Sequence, residues 1–304
     1  MGEDREGQTR AALVVSLALE TKRASSTAVL IAANRARASA REKPLISDPW
    51  AEALAGEEGQ KIARDLDAVY PHLELWTAVR TAFIDDLVRE YTSPPWSFPQ
   101  VILLGAGLDT RAARLGREGV RFYEVDHPES QADKKRRLEK AIGYPIDAIT
   151  FVACDFEKDA LAERLAAAGV LPSAPAVVIW EGVTPYLPEQ AVRATLQTIA
   201  ESLHPRSVLV FDHLLKKQAD PNNKVADAHA QGFVKRELGE PVVFGTNDPV
   251  PMLYEAGFRH VRSASFDEVC LSLTGTYDRD RQFRFQRIVV TSVTPPPRSG
   301  SGTA

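Results

Sequence analysis

The stretch Val101–Leu115, VILLGAGLDTRAARL, decides the fold class of this 304-residue chain. Four apolar residues run directly into Gly105, Ala106 and Gly107, and an Asp-Thr pair then opens an amphipathic segment. This order predicts a buried strand, a tight glycine turn and the N-terminus of a helix. Glycine lets the backbone approach a ligand where a Cβ atom would clash. We therefore expect this turn to bind a nucleotide-like cofactor.

The glycine turn does not complete the pattern that binds dinucleotides. Thr110 and Arg111 stand where the third glycine of that pattern would be. The missing glycine disfavours a nicotinamide-dependent oxidoreductase, which stays open as an alternative. Binding of NAD would support that alternative.

Composition and charge exclude several classes of protein. The apolar fraction of 44% and the charged fraction of 26% are ordinary for a globular protein. A formal net charge of -4 gives no reason to expect nucleic acid or an anionic membrane as the main partner. Cys154 and Cys270 are too few for a disulfide framework or a cysteine metal site, and we expect no metal. The polar N-terminus predicts a cytoplasmic protein, and nothing in the sequence indicates an oligomeric state.

Three regions are expected along the chain. Residues 1–96 are predicted to form a helical cap, which ends at the proline-rich segment SPPWSFP. Residues 97–293 alternate strands with helices, which predicts an α/β fold with a mostly parallel, Rossmann-like sheet covered on both faces. An insertion at 214–245 interrupts this alternation and is predicted to be a lid over the substrate. Residues 294–304 are predicted to be disordered.

The sheet is expected to contain seven strands. The last strand follows its predecessor without a clear helix, so we expect it to enter antiparallel. The predicted strands are Val101–Leu104, Arg121–Val125, Ile149–Ala153, Ala176–Trp180, Val208–Phe211, His260–Ala264 and Arg284–Val290.

Acidic residues follow three successive strands of the predicted sheet. Asp126, Asp155 and Glu181 each stand where a strand ends, and ligands bind beyond the carboxyl ends of strands in such sheets. Each acid has an alternative role as a helix N-cap. Clustered acids oppose a pyrophosphate but suit a cofactor with a ribose, an adenine and a cationic tail. S-adenosylmethionine has these features, and carboxylates favour its sulfonium.

Four motifs occur in a recognisable order and spacing. They are VILLGAGLDTRAARL, EVDHPESQADKK, ACDF and WEGVTPYL, preceded by STAVLIAANRA, LISDPWAE and VRTAFIDDLV. Over roughly residues 24–290 the chain resembles the leucine carboxyl methyltransferase-like family of class I S-adenosylmethionine-dependent methyltransferases, which includes bacterial polyketide carboxyl O-methyltransferases. The resemblance implies the Rossmann-like fold and S-adenosylmethionine as the methyl donor.

The resemblance also implies roles for individual residues. It places Arg80 on the methionine carboxylate of the cofactor, Asp126 on the ribose, and Asp155 with Phe156 on the adenine. Glu181 is placed near the methionine moiety. The glycine turn (Gly105, Ala106 and Gly107) lines the cofactor. From the residues alone, Arg80 has an alternative as a surface ion pair with an acid such as Asp85.

The methyl acceptor is less well determined than the cofactor. A carboxylate is ionised at neutral pH and needs no base, whereas a phenol would benefit from one. His213 is the candidate base for a phenol or hydroxyl acceptor, with a packed or solvated turn histidine as the more favoured interpretation. Tyr186 either contacts the substrate or belongs to the core. His127 is a candidate at the ribose turn, for which we favour a structural role.

With no compelling base, the sequence favours a carboxylate O-methyltransferase. Its acceptor would be a small metabolite or a peptide C-terminus. Phenol or hydroxyl methylation in secondary metabolism remains the runner-up.

Overall fold

A computed structural model describes residues 26–68, 70–156, 158–220, 242–275 and 285–295. This part of the chain contains one seven-stranded sheet in the order β3-β2-β1-β4-β5-β7-β6. The strands are β1 Gln100–Leu104, β2 Arg121–Asp126, β3 Ile149–Ala153, β4 Ala176–Trp180, β5 Val208–Leu214, β6 His260–Ser265 and β7 Gln286–Ser292.

The sheet confirms the predicted α/β architecture. Strands β1 to β5 pair in parallel, whereas β7 is antiparallel to both β5 and β6, as expected for the last strand. Strands β3 and β4 have the predicted bounds. Strand β5 differs, because it runs on to Leu214 instead of ending at Phe211. Asp212 and His213 therefore lie inside this strand and not in the loop after it.

Nine α-helices occur in the described ranges. They are α1 Ser26–Ser39, α2 Ala51–Asp67, α3 Leu73–Thr92, α4 Arg111–Leu115, α5 Pro128–Leu138, α6 Leu161–Ala167, α7 Glu189–Ser202, α8 Val250–Glu255 and α9 Phe266–Thr274.

The expectation that no helix separates the last two strands is wrong, because helix α9 lies between β6 and β7. Ser265 accepts a hydrogen bond from the backbone N–H of Glu268, and the Glu268 carboxylate accepts one from the Ser265 N–H. This reciprocal capping satisfies two backbone donors at the start of the helix. The buried side chains Phe266, Val269 and Cys270 then attach its apolar face to the core.

Apolar side chains of the central strands point to both faces of the sheet and form a core on each face. Ile102 and Leu104 of β1 pack in one cluster with residues of α6, α7 and α8. Val101 and Leu103 pack in the other cluster with residues of α3 and α9. Helix α3 thus shares a core with the sheet. This packing places polar residues of the helix at the carboxyl edge of the strands. The predicted division into a cap and a Rossmann-like domain stays a prediction.

Several expectations fall on parts of the chain outside the described residues. These parts include residues 1–25, most of the predicted lid (221–241) and the tail from residue 296. Among the described helices, none combines the length and apolar character needed to cross a bilayer.

Candidate active site

A cavity of about 690 Å³ lies where the carboxyl ends of the parallel strands meet the N-terminal helices. Its volume is within the range of about 300–1,000 Å³ that is usual for small-molecule sites. Leu30, Leu73 and Trp76 contribute apolar surface from helices α1 and α3. The lining contains eight of the predicted site residues: Arg80, Gly105, Ala106, Gly107, Asp126, Phe156, Glu181 and Tyr186.

The glycine turn follows β1, as predicted, and has a backbone that requires glycine. Gly105 has a φ of 67°, in the left-handed region that other residues rarely adopt. A Cβ atom at Gly105 would also lie 2.5 Å from Cγ2 of Val183. The backbone N–H of Gly105 donates to the carbonyl oxygen of Val125 at 2.8 Å, which joins the turn to β2.

Asp126 holds the other side of this turn. Its Oδ2 accepts a hydrogen bond from the Gly107 N–H at 2.5 Å, and its Oδ1 accepts one from the His127 N–H at 2.7 Å. Burial raises the pKa of Asp126, and these two N–H donors oppose that rise. Each carboxylate oxygen can accept a further hydrogen bond. Asp126 can therefore hold the turn and bind a pair of ribose hydroxyls at the same time.

Arg80 reaches the cavity from helix α3 and is only 4% exposed. Its Nη1 donates to Asp212 Oδ2 at 2.7 Å, and its Nε lies 2.8 Å from Glu181 Oε1. The guanidinium also stands over the Trp76 ring, 5.4 Å from the centroid. The alternative of a surface ion pair with Asp85 is wrong. Arg80 is a buried cation at the cavity, where a bound carboxylate can meet it.

Arg111, from the segment that breaks the dinucleotide pattern, is 1% exposed and joins three acids. Its Nη1 donates to Glu181 Oε2 at 2.6 Å and to Asp109 Oδ2 at 2.5 Å, and its Nε donates to Asp85 Oδ1 at 2.7 Å. Burial raises the pKa of Glu181, but the attraction of Arg111 and Arg80 outweighs burial and lowers it. Burial also raises the pKa of Asp109, but the attraction of Arg111 and Arg35 outweighs burial and lowers it to about 2. Both acids are therefore ionised at neutral pH.

The residues predicted to bind adenine are only partly brought together. Phe156 lines the cavity, whereas Asp155 and His127 are not among the described residues that line it. The Asp155 carboxylate pairs with Lys158 Nζ at 2.7 Å and lies 3.8 Å from His127 Nε2. His127 Nδ1 accepts a hydrogen bond from the Glu129 N–H at 3.3 Å, which makes it the N-cap of helix α5. That position is consistent with the structural role that the sequence favoured for His127.

The two candidate catalytic residues differ in position. Tyr186 lines the cavity at the end of the short 3-10 helix Thr184–Tyr186. His213 is fully buried and is not among the described residues that line the cavity. Its Nδ1 lies 3.0 Å from the carbonyl oxygen of Leu214, and burial lowers its pKa. A neutral, enclosed imidazole does not face a bound acceptor.

Comparison with known proteins identifies the family of this chain. The family model described as leucine carboxyl methyltransferase matches residues 28–200, which include the glycine turn, Arg80 and Glu181.

The chain belongs to the leucine carboxyl methyltransferase family.

Relatives of this family member carry consistent names. A "Putative S-adenosyl-L-methionine-dependent methyltransferase" of Streptomyces coelicolor is 39% identical over 58% of this chain and 64% of its own length. A relative of the same name from Mycolicibacterium gilvum is 31% identical over 91% of this chain and 89% of its own length. The chain is accordingly an S-adenosylmethionine-dependent methyltransferase, and S-adenosylmethionine is its methyl donor.

Solved structures share the fold. A DUF574 family protein of Streptomyces avermitilis has a TM-score of 0.58 at 12% identity, covering 80% of this chain and 95% of that protein. Magnesium protoporphyrin IX methyltransferase of Synechocystis, solved with bound S-adenosylhomocysteine, has a TM-score of 0.50 at 13% identity, covering 78% and 95%. These likenesses support the Rossmann-like class I methyltransferase fold of the family member.

The residues of the cavity fit this cofactor chemically. Arg80 offers a cation to the methionine carboxylate, while Glu181 and Asp212 offer anions to the ammonium and the sulfonium. Asp126 offers carboxylate oxygens to the ribose, and Phe156 offers an aromatic face. When bound, the cofactor supplies an activated methyl group with a good leaving group already in place.

The sequence did not indicate Asp212, a charged residue of β5 that lines this cavity. Its Oδ1 accepts a hydrogen bond from the Gly182 N–H at 2.6 Å, and its backbone oxygen accepts one from Thr184 Oγ1 at 2.6 Å. The signal available was an acid inside an apolar strand, directly before His213. Expecting the strand to end at Phe211 placed this acid in a loop, where acids are common.

Proposed function

We propose that this chain transfers the methyl group of S-adenosylmethionine to a carboxylate oxygen of a small metabolite or a peptide C-terminus. The observation that carries the proposal is the lack of a neutral base in the cavity: no histidine or lysine occurs among the described residues that line it. A carboxylate has a pKa near 4 and is already a nucleophile at neutral pH, so it needs no base.

Glu181 and Asp109 are poor substitutes for a base, and Asp126, whose pKa burial raises, already accepts hydrogen bonds from the Gly107 and His127 N–H groups. Glu181 has a lowered pKa because two arginines hold it, and Asp109 has a pKa of about 2. Such weakly basic carboxylates have little tendency to take a proton from a phenol with a pKa near 10. An acceptor that arrives already ionised matches this set of side chains better.

Catalysis then rests on position and on exclusion of water. The acceptor oxygen must lie in line with the methyl group and the sulfur, and holding two reactants in such geometry lowers a barrier by about 7–11 kcal/mol. The Tyr186 ring and the apolar side chains Leu30, Ile31 and Leu73 supply surface against which an acceptor can be held. Tyr186 thus acts by contact with the acceptor and not by proton transfer.

Phenol or hydroxyl methylation with His213 as the base is the second candidate. The buried position of His213, its contact with the Leu214 carbonyl and its lowered pKa all count against it as a base for a bound acceptor. A cytoplasmic location also remains part of the proposal.

The test measures which bond the methyl group forms. The enzyme is incubated with S-adenosylmethionine labelled in the methyl group and with matched acceptors: decanoic acid, phenylacetic acid, 4-ethylphenol and a tetrapeptide with a free or amidated C-terminus. Methyl esters are hydrolysed by mild alkali to volatile methanol, whereas aryl methyl ethers are stable. We expect alkali-labile label from at least one free acid and none from the amidated peptide. Transfer only to the phenol, with an alkali-stable product, would overturn the proposal.

A further inference from the structure

The Asp212 carboxylate joins two parts of the active site. Its Oδ2 accepts a hydrogen bond from Arg80 Nη1 at 2.7 Å, and its Oδ1 accepts one from the Gly182 N–H at 2.6 Å. Asp212 is 2% exposed, yet it lines the cavity. It therefore lies at the cavity as a buried anion, next to the cation that we place on the methionine carboxylate.

The buried charges around this point do not cancel. A network of buried ion pairs consists of Asp48, Asp85, Asp109, Glu181 and Asp212 with Arg35, Arg80, Arg111 and Arg114. Each of these arginines pairs with at least one of the acids, and the acids outnumber the arginines by one. The net charge is thus -1 with all groups ionised, and water screens buried charges much less than exposed ones.

Three acids of this network line the cavity, Asp109, Glu181 and Asp212, and Asp212 has the fewest cations around it. Arg111 pairs with Asp109 at 2.5 Å, and Arg35, Arg114 and Lys134 also lower the pKa of Asp109. Glu181 is held by two cations, with Arg80 Nε at 2.8 Å and Arg111 Nη1 at 2.6 Å. Among the ion pairs of the described residues, Asp212 has Arg80 as its single cation, and its other oxygen faces a neutral peptide N–H. The excess negative charge consequently lies closest to Asp212.

A negative charge at this place distinguishes the methyl donor from its product. S-adenosylmethionine and S-adenosylhomocysteine carry the same carboxylate and ammonium, and they differ by the sulfonium charge and the methyl group. Three carbon atoms separate the carboxyl carbon from the sulfur, so a cofactor anchored on Arg80 has its sulfur near Asp212. Attraction between unit charges falls only as the inverse of their distance, so it still acts across such a gap.

We propose that Asp212 is a specificity-determining residue that makes the cofactor site prefer the cationic donor to the uncharged product. Loss of the sulfonium charge during methyl transfer then weakens binding of the product and favours its release. The proposal rests on the placement of Arg80 at the methionine carboxylate and does not depend on which acceptor is methylated.

The test is the ratio of two dissociation constants, Kd for S-adenosylhomocysteine over Kd for S-adenosylmethionine, measured by calorimetry. Asp212→Asn keeps the shape and the acceptor for the Gly182 N–H but removes the charge. Both ligands carry the same carboxylate and ammonium, so a variant that only disturbs the binding of these groups weakens both ligands equally. If Asp212 had only a structural role, the ratio would therefore be unchanged. We expect the ratio to fall on the order of tenfold. Sinefungin, which carries an amine cation near the position of the sulfonium methyl, should weaken together with S-adenosylmethionine.

Two further variants make the result specific. Asp48→Asn removes a buried acid of the same network that does not line the cavity, and its ratio should stay within about twofold of the wild type. Asp212→Glu keeps the charge and should largely keep the ratio. If Asp212→Asn fails to fold, as judged by its thermal transition, Asp212→Ser takes its place. An unchanged ratio in the folded neutral variant, or an equal weakening of both ligands, would overturn the proposal.

This experiment also separates the proposal from the proposed acceptor chemistry. Binding is measured without an acceptor, so failure of carboxylate methylation leaves the ratio interpretable. Conversely, an unchanged ratio would leave the assignment of the methyl acceptor untouched.

Discussion

Arg80 Nη1 donates a hydrogen bond to Asp212 Oδ2 at 2.7 Å, although the two residues are 132 positions apart in the sequence. The contact joins helix α3 to strand β5 at the carboxyl edge of the sheet. A helix that precedes the Rossmann-like part of the chain thereby supplies a buried cation to the cavity. The N-terminal helices therefore line the cavity together with the carboxyl ends of the strands.

Arg111 is expected to be a major contributor to stability. Removing one partner of a buried ion pair leaves uncompensated charge and costs about 3–5 kcal/mol. Arg111→Met would leave Asp85, Asp109 and Glu181 without their shared cation. We expect its free energy of unfolding, measured by urea denaturation, to fall by about that amount.

The matched control for this variant is Arg89→Met. Arg89 pairs with Asp86 at 2.9 Å, but both side chains are more than half exposed. Such surface pairs contribute about 0–1 kcal/mol. Equal losses of stability in the two variants would contradict the account of Arg111 as the centre of a buried network.

We expect His213 to influence how stability depends on pH more than it influences catalysis. Burial lowers its pKa in the folded state from its usual value near 6.5. The unfolded chain therefore binds a proton at His213 more readily than the folded chain does. The stability that the protein has with a neutral His213 is present above about pH 6.5 and is lost as the pH falls below it. Replacing His213 with asparagine should reduce the fall in Tm between about pH 7 and pH 5.

Turnover gives the complementary measurement for His213. If the acceptor is a carboxylate, folded His213→Asn should retain turnover within about threefold of the wild type, because no base has been removed. A general base typically contributes about 10²–10⁴-fold. A loss of that size, in a variant that folds and binds the cofactor normally, would favour the phenol or hydroxyl alternative.

Asp155 tests the predicted adenine site. To reach the exocyclic amine of adenine, its carboxylate must leave Lys158, with which it pairs at 2.7 Å. Asp155→Ala should weaken binding of S-adenosylmethionine by more than about tenfold, as expected for loss of a charge-assisted hydrogen bond. Lys158→Ala, which removes only the competing partner, should bind at least as well as the wild type. Calorimetry that finds both variants unchanged would remove Asp155 from the site.

Most of the sheet could be predicted from short apolar runs. Strand β4 is a continuous buried segment between turn residues, and such a run has few other structures to adopt. The prediction missed helix α9 although the sequence carried a signal for it. That signal is the capping-box spacing of Ser265 and Glu268. Its apolar residues also recur at helical spacing, and polar residues between them concealed the pattern.

The glycine turn and the acids after the strands were predictable because their place follows from local order. Asp212 and Arg111 were not, since their roles arise from contacts between distant elements. A buried arginine that joins Asp85, Asp109 and Glu181 is specified by the folded geometry and leaves no local pattern. The deviation Thr110-Arg111 looked like a defect of a dinucleotide motif, and it supplies instead the second cation that holds Glu181.

Calorimetric titration of S-adenosylmethionine into the wild type, Arg80→Met and Arg89→Met tests whether this cavity binds the cofactor through Arg80. Both arginines belong to helix α3, but Arg80 is buried at the cavity and Arg89 is exposed. Since a buried charge-assisted contact contributes about 1.5–3 kcal/mol, Arg80→Met should weaken binding by more than about tenfold. Arg89→Met should bind as the wild type does. Wild-type affinity in a folded Arg80→Met protein would contradict the assignment of this cavity as the cofactor site.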